Sequence, residues 1–194
     1  MASWLFDRTA WLFAHGLSGW TPAKARQLTD LLPKRLSPES RLLDIGGGTG
    51  QFAALVVKES GADVTVLDAN EKMLGYVPTG AKLHAVHGTV TAIPFADDSF
   101  DVVTIVDALH HVADLTAAAH EIARVLRLGG SLVVSDPNAE TWIARAVGRG
   151  ERLLGEPGTV MTPEEMVALF ADAGIEGKIA IRDGWRMVFF GTGM

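Results

Sequence analysis

The 194-residue chain contains no cysteine. Disulfides, thiolate metal centres and cysteine nucleophiles are therefore excluded, and a reducing compartment is compatible. Positive charge is in deficit, with 17 Lys and Arg against 23 Asp and Glu and a net charge of -6. That balance works against a broad phosphate-binding surface, so no nucleic-acid partner is expected. Long apolar runs are missing too: Asp7 and Arg8 interrupt the apolar first twenty residues. Neither a signal sequence nor a membrane span is expected there, and a cytoplasmic protein is. With 48% hydrophobic and 21% charged residues, the length fits a single globular domain over 1–194 and leaves little room for a separate substrate domain.

Strand and helix signals alternate along the chain. Helices are expected at Trp4–Leu17, Pro22–Leu32, Phe52–Glu59, Glu71–Tyr76 and Leu115–Leu126, the last ended by Gly129-Gly130. A further helix follows the capping signal Thr162-Pro163-Glu164-Glu165 and stops at Gly174. Strands are expected at Arg41–Ile45, Asp63–Leu67, Lys82–His87, Asp101–Val106 and Ser131–Ser135, then Lys178–Arg182 and Trp185–Phe190 joined by an Asp183-Gly184 turn. The alternation implies parallel β-α-β units wound on both faces of one sheet, with a final antiparallel hairpin.

The most informative stretch is Asp44-Ile45-Gly46-Gly47-Gly48-Thr49-Gly50, between the first of these strands and the helix after it. Ligands of open α/β sheets bind at that end of a strand. Gly46, Gly48 and Gly50 let the backbone approach a ligand closely. Asp44 is suited to hold an ammonium group through bridging hydrogen bonds, and Asp68, ending the second strand, to accept from ribose hydroxyls. Gly48-Thr49-Gly50-Gln51-Phe52-Ala53 also fits a dinucleotide fingerprint, though it starts late in the loop.

These residues, with Leu67-Asp68-Ala69-Asn70-Glu71-Lys72-Met73-Leu74, Ile93-Pro94-Phe95-Ala96-Asp97-Asp98-Ser99-Phe100-Asp101, Ala108-Leu109-His110-His111-Val112 and Glu121 to Gly130, recur in one order. The chain resembles the class I S-adenosylmethionine-dependent methyltransferases, especially the group containing the quinone-biosynthesis enzymes. The resemblance spans about Arg41 to Asp136. It implies a Rossmann-like, mostly parallel seven-stranded sheet in the order 3-2-1-4-5-7-6 and S-adenosyl-L-methionine as cofactor. Asp44, Gly46, Gly48 and Gly50 would then hold the methionine part and Asp68 the ribose. Met73 would touch the adenine, with Thr89 or the Val90 backbone reading its amino group, and Ala69, Gly88 and Asp107 would complete the cofactor site. Relatives usually carry an aspartate where this chain has Thr89, a weaker acceptor.

His110 and His111 follow the fourth strand, so a base for methyl transfer would be His110, Asp107 or Asp136. An imidazole pair there also reads as packing. No metal is expected, because neighbouring histidines on one loop lack the remaining ligands. His84 and His87 read as packing or edge residues. The resemblance divides the chain into N-terminal helices and lid (1–38), a cofactor core (39–136), and a lid insert, last helix and hairpin (137–194). Trp142, Ile143, Ala146 and Val147 form one side of the insert helix, with Arg145, Arg149 and Arg152 along it. They are expected to cover the core, or to form an apolar pocket for an amphipathic small molecule or a peripheral membrane contact. The other readings are a nicotinamide-dependent oxidoreductase and a non-catalytic cofactor-binding domain acting through a partner.

Overall fold

A computed structural model describes residues 20–32, 35–153, 155 and 157–194. The helix expected at Trp4–Leu17 lies outside them. The chain divides at Thr89/Val90 into two compact units.

In the first unit, α1 (Pro22–Thr29) is opened by Thr21, whose Oγ1 accepts from the Lys24 amide at 3.3 Å, and by Pro22 in its first turn. It ends before the expected Leu32, and Asp30 donates to the Arg26 carbonyl at 2.7 Å. Strands β1 (Arg41–Ile45), β2 (Asp63–Asp68) and β3 (Leu83–His87) run parallel, with Asp44 opposite Val66 and Asp68 opposite His87. β1 and β2 are buried nearly throughout, the pattern of parallel strands covered on both faces. Helix α2 (Gln51–Ser60) buries Phe52, Ala53 and Val56. The short α3 (Glu71–Leu74) is capped by Asn70, whose Oδ1 accepts from the Lys72 and Met73 amides at 3.0 and 3.1 Å. His84 and His87 are exposed on β3, as expected of edge residues, and face Asp63 (3.0 Å) and Glu71 (3.4 Å).

The second unit comprises β4 (Phe100–Val106), a 3-10 turn (Leu109–His111), α4 (Leu115–Val125), β5 (Leu126–Pro137), α5 (Trp142–Leu153), α6 (Pro163–Asp172), β6 (Ile175–Asp183) and β7 (Arg186–Gly193). β4 and β5 are parallel, while β7 runs antiparallel to both β5 and β6. Ala118, Ala119, Ile122 and Val125 form the buried stripe of α4, and Phe170 of α6 stacks on Phe189 of β7 at 5.0 Å. The seven strands form one sheet in the order β3-β2-β1-β4-β5-β7-β6, as the resemblance implied.

Three local expectations are corrected. Gly129-Gly130 does not separate α4 from the strand: α4 passes into β5 at Leu126, and the pairing jumps from Phe100–Leu126 to Val102–Ser131, so the glycines sit in a bulge. The hairpin turn is Gly184-Trp185, one residue later than expected, because Asp183 still pairs with Arg186. The apolar side of α5 does not face the core. Trp142 is 72% and Ile143 40% exposed, whereas Ala144 and Gly148 are buried. The reason is close approach, since a Cβ on Gly148 would lie 2.8 Å from the Gly158 carbonyl oxygen. Only the smallest residues fit that contact, and the large apolar ones turn outward. Among the described residues, no helix is long and apolar enough to cross a membrane.

Candidate active site

Asp44, the last residue but one of β1, is almost wholly buried. The loop beyond it begins by extending the ladder, Gly46 donating to the Leu67 carbonyl at 2.7 Å, and then turns sharply. Gly48 and Gly50 take φ of +56° and +71°, a region costly for residues with a Cβ, and Gly50 is the left-handed cap of α2. Asp68 buckles this loop to β2: its Oδ2 accepts from the Gly48 amide at 2.9 Å and its Oδ1 from the Asn70 amide at 2.8 Å. Burial pushes the Asp68 carboxyl above its ordinary range, although both amides pull it down.

Each oxygen of a carboxylate that accepts one hydrogen bond retains a second lone pair. Asp68 can therefore clasp the loop and still accept from ribose, and the space a Cβ on Gly48 would enter holds nothing within 4 Å. These features fit the expected S-adenosyl-L-methionine. The neighbouring candidates gather around Asp68. Gly88, which leads into Thr89, donates to its carbonyl at 3.1 Å, His87 Nε2 donates to the Ala69 carbonyl at 3.2 Å, and Met73 is buried on α3. Sequence reasoning passed over Gly47, where a Cβ would run into the Asp44 carboxylate and lie 3.0 Å from Val66 Cγ1.

Val90 and Asp107 belong to the second unit. Asp107 follows β4 with φ +53° and donates its amide to the Ser135 carbonyl at 2.9 Å. Its carboxylate is engaged by Arg186, 2.8 Å from Nη1 to Oδ2, and the other arm of that guanidinium reaches Ser135 Oγ at 3.1 Å. His110 instead meets Asp136: Nδ1 lies 2.8 Å from Oδ1, with both side chains buried. Its Nε2 faces Glu151 Oε1 at 3.5 Å, and the Thr159 amide donates to the His110 carbonyl at 2.8 Å.

Burial alone would lower the His110 pKa, but the hydrogen bond and charge of Asp136, with the charges of Glu151 and Asp107, outweigh it and raise the pKa. Burial raises the Asp136 carboxyl against the opposing pull of His110. His111, its ring centroid 4.1 Å from that of His110, is pushed down to about 4 by burial and by the neighbouring charge. Sequence reasoning named His110, Asp107 and Asp136 but missed Glu151 and Arg186. Neither stands near a motif, and only tertiary structure brings them in.

Residues 43–134 match a family model described as a methyltransferase domain. The demethylmenaquinone methyltransferase of Mycobacterium marinum is 32% identical over 165 residues, covering 79% of this chain and 71% of that protein. The methyltransferase in a complex with the Haloferax volcanii Trm112 methyltransferase activator shares the fold at TM-score 0.82 and 20% identity, over 97% of each chain. So does a geranyl diphosphate C-methyltransferase of Streptomyces coelicolor, solved with Mg2+, geranyl diphosphate and S-adenosyl-L-homocysteine, at TM-score 0.70 and 15% identity over 88% of this chain and 76% of that one. With the expected strand order, the clasped glycine loop and 32% identity to a relative matched over 71% of its length, the chain belongs to the class I S-adenosylmethionine-dependent methyltransferases and takes S-adenosyl-L-methionine as its cofactor.

Proposed function

We propose that this enzyme methylates a small molecule with a large apolar body, of the prenylated quinol class, in the cytoplasm and at a membrane surface. The observation that carries this reading is the outward face of α5. Trp142, Ile143 and Leu153 are 72%, 40% and 88% exposed on a helix that also bears Arg145, Arg149 and Arg152. Apolar and aromatic groups flanked by arginines match an interface between hydrocarbon and anionic headgroups. The Mycobacterium marinum relative is named for a quinone substrate, which supports the same class.

Bound S-adenosyl-L-methionine supplies an electrophilic methyl group. Asp44, Gly46, Gly48 and Gly50 hold its methionine end, Asp68 accepts from the ribose, and Ala69, Met73, Gly88, Thr89 and Val90 line the adenine. Asp107, engaged by Arg186, serves binding rather than proton transfer. His110 is the base. With the Nδ1 proton donated to Asp136, the Nε2 lone pair takes the acceptor's proton, and the imidazolium formed is stabilised by Asp136 and Glu151.

The test is transfer of tritiated methyl from S-adenosyl-L-methionine to demethylmenaquinol in vesicles containing anionic lipid, with catechol as the polar comparison. Labelled quinol, reduced by added salt and by Trp142→Ala, is the expected result. Labelling of catechol alone overturns the proposal.

A further inference from the structure

The sequence offers two adjacent imidazoles, and the fold adds a carboxylate. One donor atom from each of His110, His111 and Glu151 lies within 4.8 Å of the other two. All three residues belong to the second unit, the histidines on the 3-10 turn after β4 and Glu151 on α5. We propose that these side chains form a binding site for one borderline divalent cation of the Zn2+ class, with two imidazole nitrogens and one carboxylate as protein ligands.

Two features of the arrangement suit a metal. The 3.5 Å between His110 Nε2 and Glu151 Oε1 is long for a hydrogen bond. It comes within about 0.2 Å of the separation of two ligands held tetrahedrally about 2.0–2.1 Å from one zinc ion. His110 Nδ1, 2.8 Å from Asp136 Oδ1, then carries the ring proton and turns the Nε2 lone pair towards Glu151. A carboxylate behind a ligating imidazole, fixing its tautomer and orientation, is the usual outer shell of such sites. Three ligands leave one coordination position open, and two imidazoles with a carboxylate favour Zn2+ and its neighbours over Mg2+ or Ca2+.

The site would staple α5 to the turn after β4. A metal ion and a proton compete for the same Nε2, so on the reading of His110 as a base the ion is an inhibitor of methyl transfer.

The test is calorimetric titration of ZnCl2 into the EDTA-dialysed, full-length protein in a non-coordinating buffer. One ion per chain binding tighter than about 10 μM is expected. His111→Ala and Glu151→Gln should each weaken it at least tenfold, and Asp136→Asn by roughly 10–100-fold. His84→Ala and His87→Ala, on the exposed face of β3, should leave it unchanged. Zinc X-ray absorption of the wild-type complex should show two imidazole ligands, which decides the matter even if a variant does not fold. Weaker wild-type binding, a different ligand set, or a tight site indifferent to His111→Ala and Glu151→Gln overturns the proposal. Binding of S-adenosylhomocysteine to the metal-free wild-type protein separates failure here from failure of the methyltransferase reading.

Discussion

In the first unit, the groups that shape the candidate site are backbone of one short stretch, Gly46 to Gly50, whose Gly46, Gly48 and Gly50 amides are tied to the Leu67 carbonyl, the Asp68 carboxylate and the Gly47 carbonyl. In the second unit they are side chains from four segments: Asp107 beside Arg186, and His110 between Asp136 and Glu151. A backbone cradle depends on conformation and on the space left by missing side chains. A side-chain cluster depends on charge balance in a desolvated place. The two regions should therefore fail differently when perturbed.

The largest effect is expected in the charge cluster. Asp136→Ala leaves His110 buried beside no hydrogen-bonded counter-charge, and loss of one partner from a buried pair costs about 3–5 kcal/mol. Urea unfolding at pH 7 measures it, and a cost below about 1 kcal/mol would mean that water or Glu151 compensates fully.

The same cluster should make stability depend on pH. His111 is neutral in the folded protein down to about pH 4, whereas the unfolded chain takes up its proton near 6.5. Its contribution is full above pH 6.5 and is lost as pH falls towards 4, by up to about 3 kcal/mol, less what solvent reaching the half-buried ring restores. His110 has the opposite sign: with its pKa raised, its contribution is full below 6.5 and fades as pH rises through the folded value. Unfolding free energies measured in EDTA should fall between pH 6.5 and 4.5, and His111→Asn should flatten that slope.

In the glycine loop, two neighbouring substitutions sharpen the contrast. Gly47→Ala drives a methyl into the buried Asp44 carboxylate and against Val66, an overpacking that costs about 1–3 kcal/mol. Gly48→Ala meets no atom within 4 Å, so it should cost only the roughly 1–2 kcal/mol of left-handed backbone. If Gly48→Ala is the more damaging to stability, the loop is governed by strain rather than by packing against Asp44. The smallest change is Thr89→Asp, which should tighten S-adenosylhomocysteine binding by less than about tenfold if an ionised acceptor reaches the adenine amino group. Weaker binding would place the adenine elsewhere.

The contrast also explains what could be read from the sequence. The loop was legible because its signals are local: an apolar run ending in Asp44-Ile45, glycines at fixed spacing, and Asp68 at the end of the next strand; the strand order came from the family resemblance. Asp68 itself was only half legible, for the ribose role proposed for it rests on spacing while its clasp on the Gly48 amide emerges only in the fold. The bulge at Gly129-Gly130 was missed because a glycine pair reads equally as a helix stop. The outward face of α5 was missed because its direction is set by the fit of Gly148 against Gly158, not by the pattern of α5 itself. Glu151 was invisible for the same reason.

The most direct measurement is calorimetric titration of S-adenosylhomocysteine into wild-type protein and Asp68→Asn, both shown to be folded by circular dichroism. The substitution keeps the shape of the side chain but removes the charge and one acceptor oxygen that serve the Gly48 amide and, on the proposed assignment, the ribose. Affinity should fall roughly tenfold to a hundredfold, the loss of a charged hydrogen bond worth about 1.5–3 kcal/mol. Unchanged affinity in the folded variant would contradict the assignment of this loop as the cofactor site.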